Sequence, residues 1–126
     1  MAENRLKRIL VVDDEAEALA HISNILKRSD YDVVVTTKGK EAIDLAINLC
    51  PDLIILDMVM PDMGGSGVSS ILVRNPATSN IPIIFLTGIL PKEEEEAIIS
   101  RTARPYVIVK PATPEELLAA IKRILP

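Results

Sequence analysis

The sequence predicts an α/β fold, a parallel five-stranded sheet with helices on both faces, and three observations lead there. Short apolar runs alternate with amphipathic helical stretches along all 126 residues. The apolar runs have strand length, and three are apolar almost throughout, as suits strands covered on both faces. Five strand-then-helix repeats joined by right-handed crossovers then require a doubly wound parallel sheet.

Strands are expected at Arg8–Val12, Asp32–Val35, Leu53–Leu56, Pro82–Leu86 and Tyr106–Val109. The first helix presents Leu19, Ile22, Ile25 and Leu26 on one face, and the second Ala42, Leu45, Ala46 and Leu49. Val68, Ile71 and Leu72 mark a short third helix. A fourth, from Pro91 to about Arg101, has only Ala97, Ile98 and Ile99 as apolar content. The fifth carries Leu117, Leu118, Ile121, Ile124 and Leu125. Pro91 opens the fourth, while Thr113-Pro114-Glu115-Glu116 gives the fifth an N-cap, a proline at its first position and an acidic first turn. The loop Met58–Gly65, with Pro61, Gly64 and Gly65, is the most turn-rich stretch.

Length and composition narrow the function classes. One domain fits 126 residues, and 48% apolar with 25% charged residues is a globular balance. A net charge of −4 without a basic cluster argues against direct nucleic-acid contact. The run Glu93–Glu96 reads as the solvated first turn of a helix. The single cysteine, Cys50, excludes an internal disulfide and is expected to pack at the end of the second helix. The N-terminal stretch lacks the apolar segment of a signal peptide, and no apolar run approaches membrane-spanning length. A cytoplasmic protein without a membrane partner is expected.

In open parallel α/β sheets, ligands bind beyond the carboxyl ends of the strands where strand order reverses. The first strand ends in Asp13-Asp14, the third in Asp57, the fourth in Thr87 and the fifth in Lys110; the second ends in Thr36-Thr37, which has no evident role. Two carboxylates about 4 Å apart repel by roughly 4 kcal/mol at an effective dielectric near 20. Three of them call for a divalent cation, a lysine, or protonation of one member. Oxygen-only ligands with open positions favour Mg²⁺. A carboxylate can also act as a nucleophile and form an aspartyl-phosphate, with Lys110 and the Thr87 hydroxyl placed to bind phosphoryl oxygens. Each residue alone has a plainer reading: Asp14 a helix cap, Asp13 and Lys110 solvated strand ends, Asp57 a turn residue. Met58, Met60 and Met63 read as loop packing, and His21 as a surface residue of the first helix away from the site.

The segments Ile9-Leu10-Val11-Val12-Asp13-Asp14-Glu15, Leu53 to Gly65 (LIILDMVMPDMGG), Ile83-Ile84-Phe85-Leu86-Thr87-Gly88 and Val107-Ile108-Val109-Lys110-Pro111 resemble the receiver domains of two-component response regulators, in the family's order and over essentially the whole chain. The resemblance implies a flavodoxin-like sheet of order 2-1-3-4-5 with five helices, residues 1–126 forming one receiver domain with no output domain. It implies Asp57 as phosphoacceptor from the phosphohistidine of a histidine kinase or phosphotransfer protein. Asp13, Asp14, Asp57 and the Val59 carbonyl would hold Mg²⁺, Asp14 directly and Asp13 through water. Thr87 and Lys110 would contact the phosphoryl group, and the Lys110–Pro111 bond would be cis. Such a domain is a switch that catalyses only its own phosphorylation and dephosphorylation. Phosphorylation biases its fourth helix and last strand, and so its contact with a downstream protein or a missing output domain, with a homodimer on phosphorylation as a further outcome. The alternative is a degenerate, interaction-only receiver. An aspartate-nucleophile phosphatase is disfavoured, because its general acid would fall at Val59.

Two departures from the family pattern stand out. The switch aromatic is expected three residues before the lysine, but Val107 is there and Tyr106 lies one residue earlier. A bulge near Pro105 could restore its facing. Ala112 replaces a frequent aromatic. Val59 and Ile89 are apolar and are expected to hinder an attacking water, giving a long-lived phosphoryl group.

Overall fold

The computed structural model describes residues 6–88 and 106–125. In chain order it contains β1 (Arg8–Val12), α1 (Ala16–Arg28), β2 (Asp32–Thr36), α2 (Gly39–Leu49), β3 (Leu53–Asp57), α3 (Gly65–Arg74), β4 (Ile83–Thr87), β5 (Tyr106–Val109) and α4 (Pro114–Ile124). The sheet is wholly parallel in the order β2-β1-β3-β4-β5. Among the described residues there are four helices rather than five. The helix expected over 91–101 lies outside them, as do Ile89 and Pro105.

Strand alternation sorts the apolar side chains into two cores. Ile9, Val11, Leu53, Ile55, Ile84, Leu86 and Ile108 face α1 and α4, where they meet Leu19, Ile22, Leu26, Leu117 and Ile121. Leu10, Val12, Ile54, Leu56 and Phe85 face α2 and α3, against Ala42, Ala46, Val68 and Leu72. Each fully buried Leu or Ile contributes about 1.5–3 kcal/mol, which fixes strand register firmly because a one-residue slip would exchange the two faces.

Helix ends explain the remaining order. Thr113 caps α4, its Oγ1 accepting from the Glu116 N–H at 3.1 Å, with Pro114 in the first turn. At α2 the N-cap residue, Lys38, supplies no side-chain cap. The Asp62 carboxylate instead reaches across from the β3–α3 loop and accepts from the Gly39 and Lys40 N–H groups at 3.2 and 3.3 Å. Gly39 permits that approach, since a Cβ there would sit 3.0 Å from the Met63 carbonyl oxygen. Gly65 is similarly constrained: a Cβ would meet the Asp57 carbonyl oxygen at 2.5 Å. Cys50 does not pack as expected. It is exposed and closes α2 in the left-handed conformation, φ 46°. No helix among the described residues is long and apolar enough to cross a membrane.

Candidate functional site

Strand order reverses between β1 and β3, which pair with each other while their next strands lie on opposite sides. Asp13 follows β1 and Asp57 ends β3, so both stand at that crevice. Asp57 is still in the ladder, paired with Leu86 of β4. Thr87 ends β4, and Lys110 follows β5, its N–H bound to the Thr87 carbonyl at 2.7 Å. The fold thus brings Asp13, Asp57, Thr87 and Lys110 to the carboxyl ends of the strands.

Their charges are crowded and dry. Asp13 is wholly buried and Asp57 only 4% exposed, while Asp14 is exposed at the rim. One ligand oxygen from each of Asp13, Asp14 and Asp57 can be chosen so that all lie within 4.8 Å of one another. The Lys110 ammonium sits among them, 2.7 Å from Asp13 Oδ2 and 3.4 Å from Asp57 Oδ2. The short contact to Asp13 is ionic rather than a well-directed hydrogen bond, so that buried oxygen has no hydrogen-bond partner among the described residues. Asp13 Oδ1 accepts from the Glu15 N–H at 2.9 Å, and Asp57 Oδ1 from the Val59 N–H at 3.3 Å.

Burial, together with the Asp13 charge, pushes the Asp57 carboxyl up from 3.8 to about 6, against the opposing pull of Lys110 and the Val59 N–H. Burial disfavours the Lys110 ammonium, but the Asp13, Asp57 and Glu15 carboxylates outweigh it and hold its pKa above the usual lysine value. Asp62, outside the cluster, is held below the usual carboxylate range, chiefly by the Gly39 N–H.

Thr87 Oγ1 is buried and has no hydrogen-bond partner among the described residues. An orphan buried hydroxyl is costly, so it marks a place built for a further group. An all-oxygen donor set with an underserved carboxylate oxygen suits a hard divalent cation. The residues present therefore fit a metal held by Asp13, Asp14 and Asp57. Val59, 67% exposed, stands at the mouth.

Four features escaped the sequence reading. The Glu15 side chain also contacts Lys110, at 3.3 Å; the acidic run Asp13-Asp14-Glu15 was the available signal. Asp62 fastens the loop after Asp57 to α2, a long-range contact without a local signal. His21 is exposed, but its Nε2 lies 3.0 Å from the Ala112 carbonyl and, when protonated, donates to it, tying α1 to the loop after Lys110. Thr36, which had no evident role, accepts the Asp13 N–H on its carbonyl and the Lys38 N–H on Oγ1. The Lys110–Pro111 bond is cis, as the resemblance implied. The pairing of 106–109 with 84–87 is continuous, without a bulge, so Val107 holds the position three before the lysine.

The order of the sheet and the placing of its polar strand ends define a doubly wound α/β protein with its chemistry at the switch point. The family model for the response regulator receiver domain matches residues 9–122, and the chain belongs to that family. It is 36% identical over 123 residues to the "Probable transcriptional regulator ycf27" of Porphyra purpurea, covering 98% of this chain and 49% of that protein. It is 32% identical over 120 residues to the "DNA-binding dual master transcriptional regulator RpaA" of Synechocystis, covering 95% and 49%. The chain thus spans about half the length of the curated relatives it matches. The chemotaxis protein CheY4 of Vibrio cholerae shares its structure with a TM-score of 0.87 at 28% identity, over 95% of this chain and 99% of that one.

Proposed function

We propose that the chain works as a single receiver unit, a switch that takes a phosphoryl group onto Asp57 from the phosphohistidine of a histidine kinase or phosphotransfer protein. The observation that supports this reading best is the buried Asp57 carboxylate, set between the like charge of Asp13 and the Lys110 ammonium. Mg²⁺ would be held by Asp13, Asp14, Asp57 and the Val59 carbonyl, and when bound it offsets the negative charge of the acids and of the transferring group.

The protein's own residues supply the rest. With a pKa of about 6, Asp57 is mostly ionised at neutral pH, and its carboxylate oxygen is the nucleophile. That oxygen forms the new O–P bond as the donor's P–N bond breaks, and the electron pair leaves with the imidazole. Lys110 pairs with the phosphoryl oxygens, and the Thr87 hydroxyl donates to one of them. The added charge then favours one of two arrangements around β5, which a downstream protein or an output domain reads.

Incubation with Mg²⁺ and acetyl phosphate tests the reading. A single phosphoryl increment in mass, with amide shifts around β4 and β5, is expected in the wild type and is absent in Asp57→Asn. An unchanged wild type would leave an interaction-only receiver. Once phosphorylated, Val59→Asn should lose the group several-fold faster, because a polar side chain at the exposed mouth can orient water. An unchanged half-life removes that role for Val59.

A further inference from the structure

One ammonium at this site serves three carboxylates, and the third is Glu15. Its Oε1 lies 3.3 Å from Lys110 Nζ, the same nitrogen that stands 3.4 Å from Asp57 Oδ2. The two acids with which it shares that nitrogen are buried, whereas the Glu15 side chain is 66% exposed. An exposed ion pair contributes little to stability. Glu15 therefore adds an exposed negative charge to a site already rich in acids, on the same ammonium that pairs with the Asp57 carboxylate. Among the described residues, Asp13, Asp14, Asp57 and Glu15 outnumber Lys110 four to one, and a bound divalent cation still leaves one excess negative charge.

We propose that Glu15 is a specificity-determining residue that selects phosphodonors by their charge. This rests on Asp57 being the acceptor. A fully ionised small phosphate anhydride approaches against the Glu15 carboxylate. A donor of lower negative charge, such as a phosphoramidate or a phosphoimidazole on a protein surface carrying a basic side chain, approaches with less opposition or pairs with it. With acetyl phosphate, the Asp57 oxygen forms the O–P bond as the anhydride P–O bond breaks and acetate leaves with the electron pair. With phosphoramidate the P–N bond breaks, and the nitrogen leaves as ammonia with the proton it already carries. The reacting bonds of each donor are indifferent to Glu15, and only the long-range charge differs.

The test uses the full chain with Mg²⁺ and compares wild type with Glu15→Gln, which keeps the shape and an acceptor oxygen for Lys110 but removes the charge. At low ionic strength Glu15→Gln should accept phosphate from acetyl phosphate about threefold to tenfold faster, with a clearly smaller gain from phosphoramidate. The gain should shrink as salt rises. Equal rates for wild type and variant, a fall, or the same gain from both donors at every salt concentration overturns the proposal. Melting temperatures of the two proteins should agree, since the side chain is exposed. A wild type that takes phosphate while Glu15→Gln behaves identically removes this role alone. A wild type that takes none, like Asp57→Asn, removes the acceptor reading with it.

Discussion

The two edges of the sheet each set a cation against carboxylates and do opposite things with them. At the edge where the strands begin, the Arg8 guanidinium pairs with one acid, its Nε donating to Asp32 Oδ2 at 2.8 Å, while the backbone N–H of Arg8 donates to Asp52 Oδ2, also at 2.8 Å. The Asp52 N–H returns to the Arg8 carbonyl at 2.8 Å. The groups are part-exposed and each finds a directed partner. At the edge where the strands end, the Lys110 ammonium faces two buried acids, Asp13 and Asp57, besides the exposed Glu15, and the Thr87 hydroxyl has no partner among the described residues. An ion pair that is part-exposed and directed is a tie. A cation among buried carboxylates, beside a hydroxyl unpaired among the described residues, suits a ligand instead.

The comparison is broken most sharply at Lys110. Lys110→Met keeps an apolar stem but leaves Asp13 and Asp57 without their cation, and should destabilise the metal-free protein by about 3 kcal/mol at pH 7.5 in urea unfolding. Added Mg²⁺ should recover part of that loss. A change below the noise of the measurement would mean that the lysine does not balance the acids.

Next comes Asp57→Asn, which should stabilise the metal-free protein by roughly 1–3 kcal/mol at pH 7.5. The sign follows from the raised pKa. Between 3.8 and about 6 the folded state binds more protons than the unfolded one, so this group favours folding increasingly as pH falls through 6 and saturates below 4. Thermal unfolding at pH 7.5 and 5 should show the wild type closing on Asp57→Asn at the lower pH. Parallel behaviour of the two proteins would contradict the raised pKa. The smallest effect belongs to the lower edge: Arg8→Gln should cost no more than about 1 kcal/mol, read by the same unfolding assay and diminishing with salt.

Much of this was legible because it follows from period and punctuation. β1 and β5 fall where their apolar runs predict them. β2 and β3 each run one residue further, since Thr36 and Asp57 still pair in the ladder despite being polar, with Val12 and Leu86 respectively. β4 is displaced by one residue, from Ile83 to Thr87 rather than from Pro82, whose ring has no N–H to donate. The acids, hydroxyl and lysine could be chosen because strand ends in such sheets converge. The contacts of Asp62 on α2 and of His21 on the Ala112 carbonyl could not, since they join segments that only the finished fold brings together. The packing expected of Cys50 failed for a local reason: a left-handed residue closing α2 turns outward where the chain reverses.

The placing of Lys110 has a consequence for the order in which the molecule comes into being. Synthesis runs from the N-terminus, and both buried acids lie on segments that precede the lysine by at least fifty residues. A sheet assembled from β1, β3 and β4 alone would bring Asp13 and Asp57 together without Lys110, their cation among the described residues. Docking of β5, sealed by the Lys110 N–H on the Thr87 carbonyl, adds an edge strand and the missing charge in one event. Completion of the sheet and arrival of the lysine at the buried acids are therefore the same step, and a chain stopped before Lys110 would lack both.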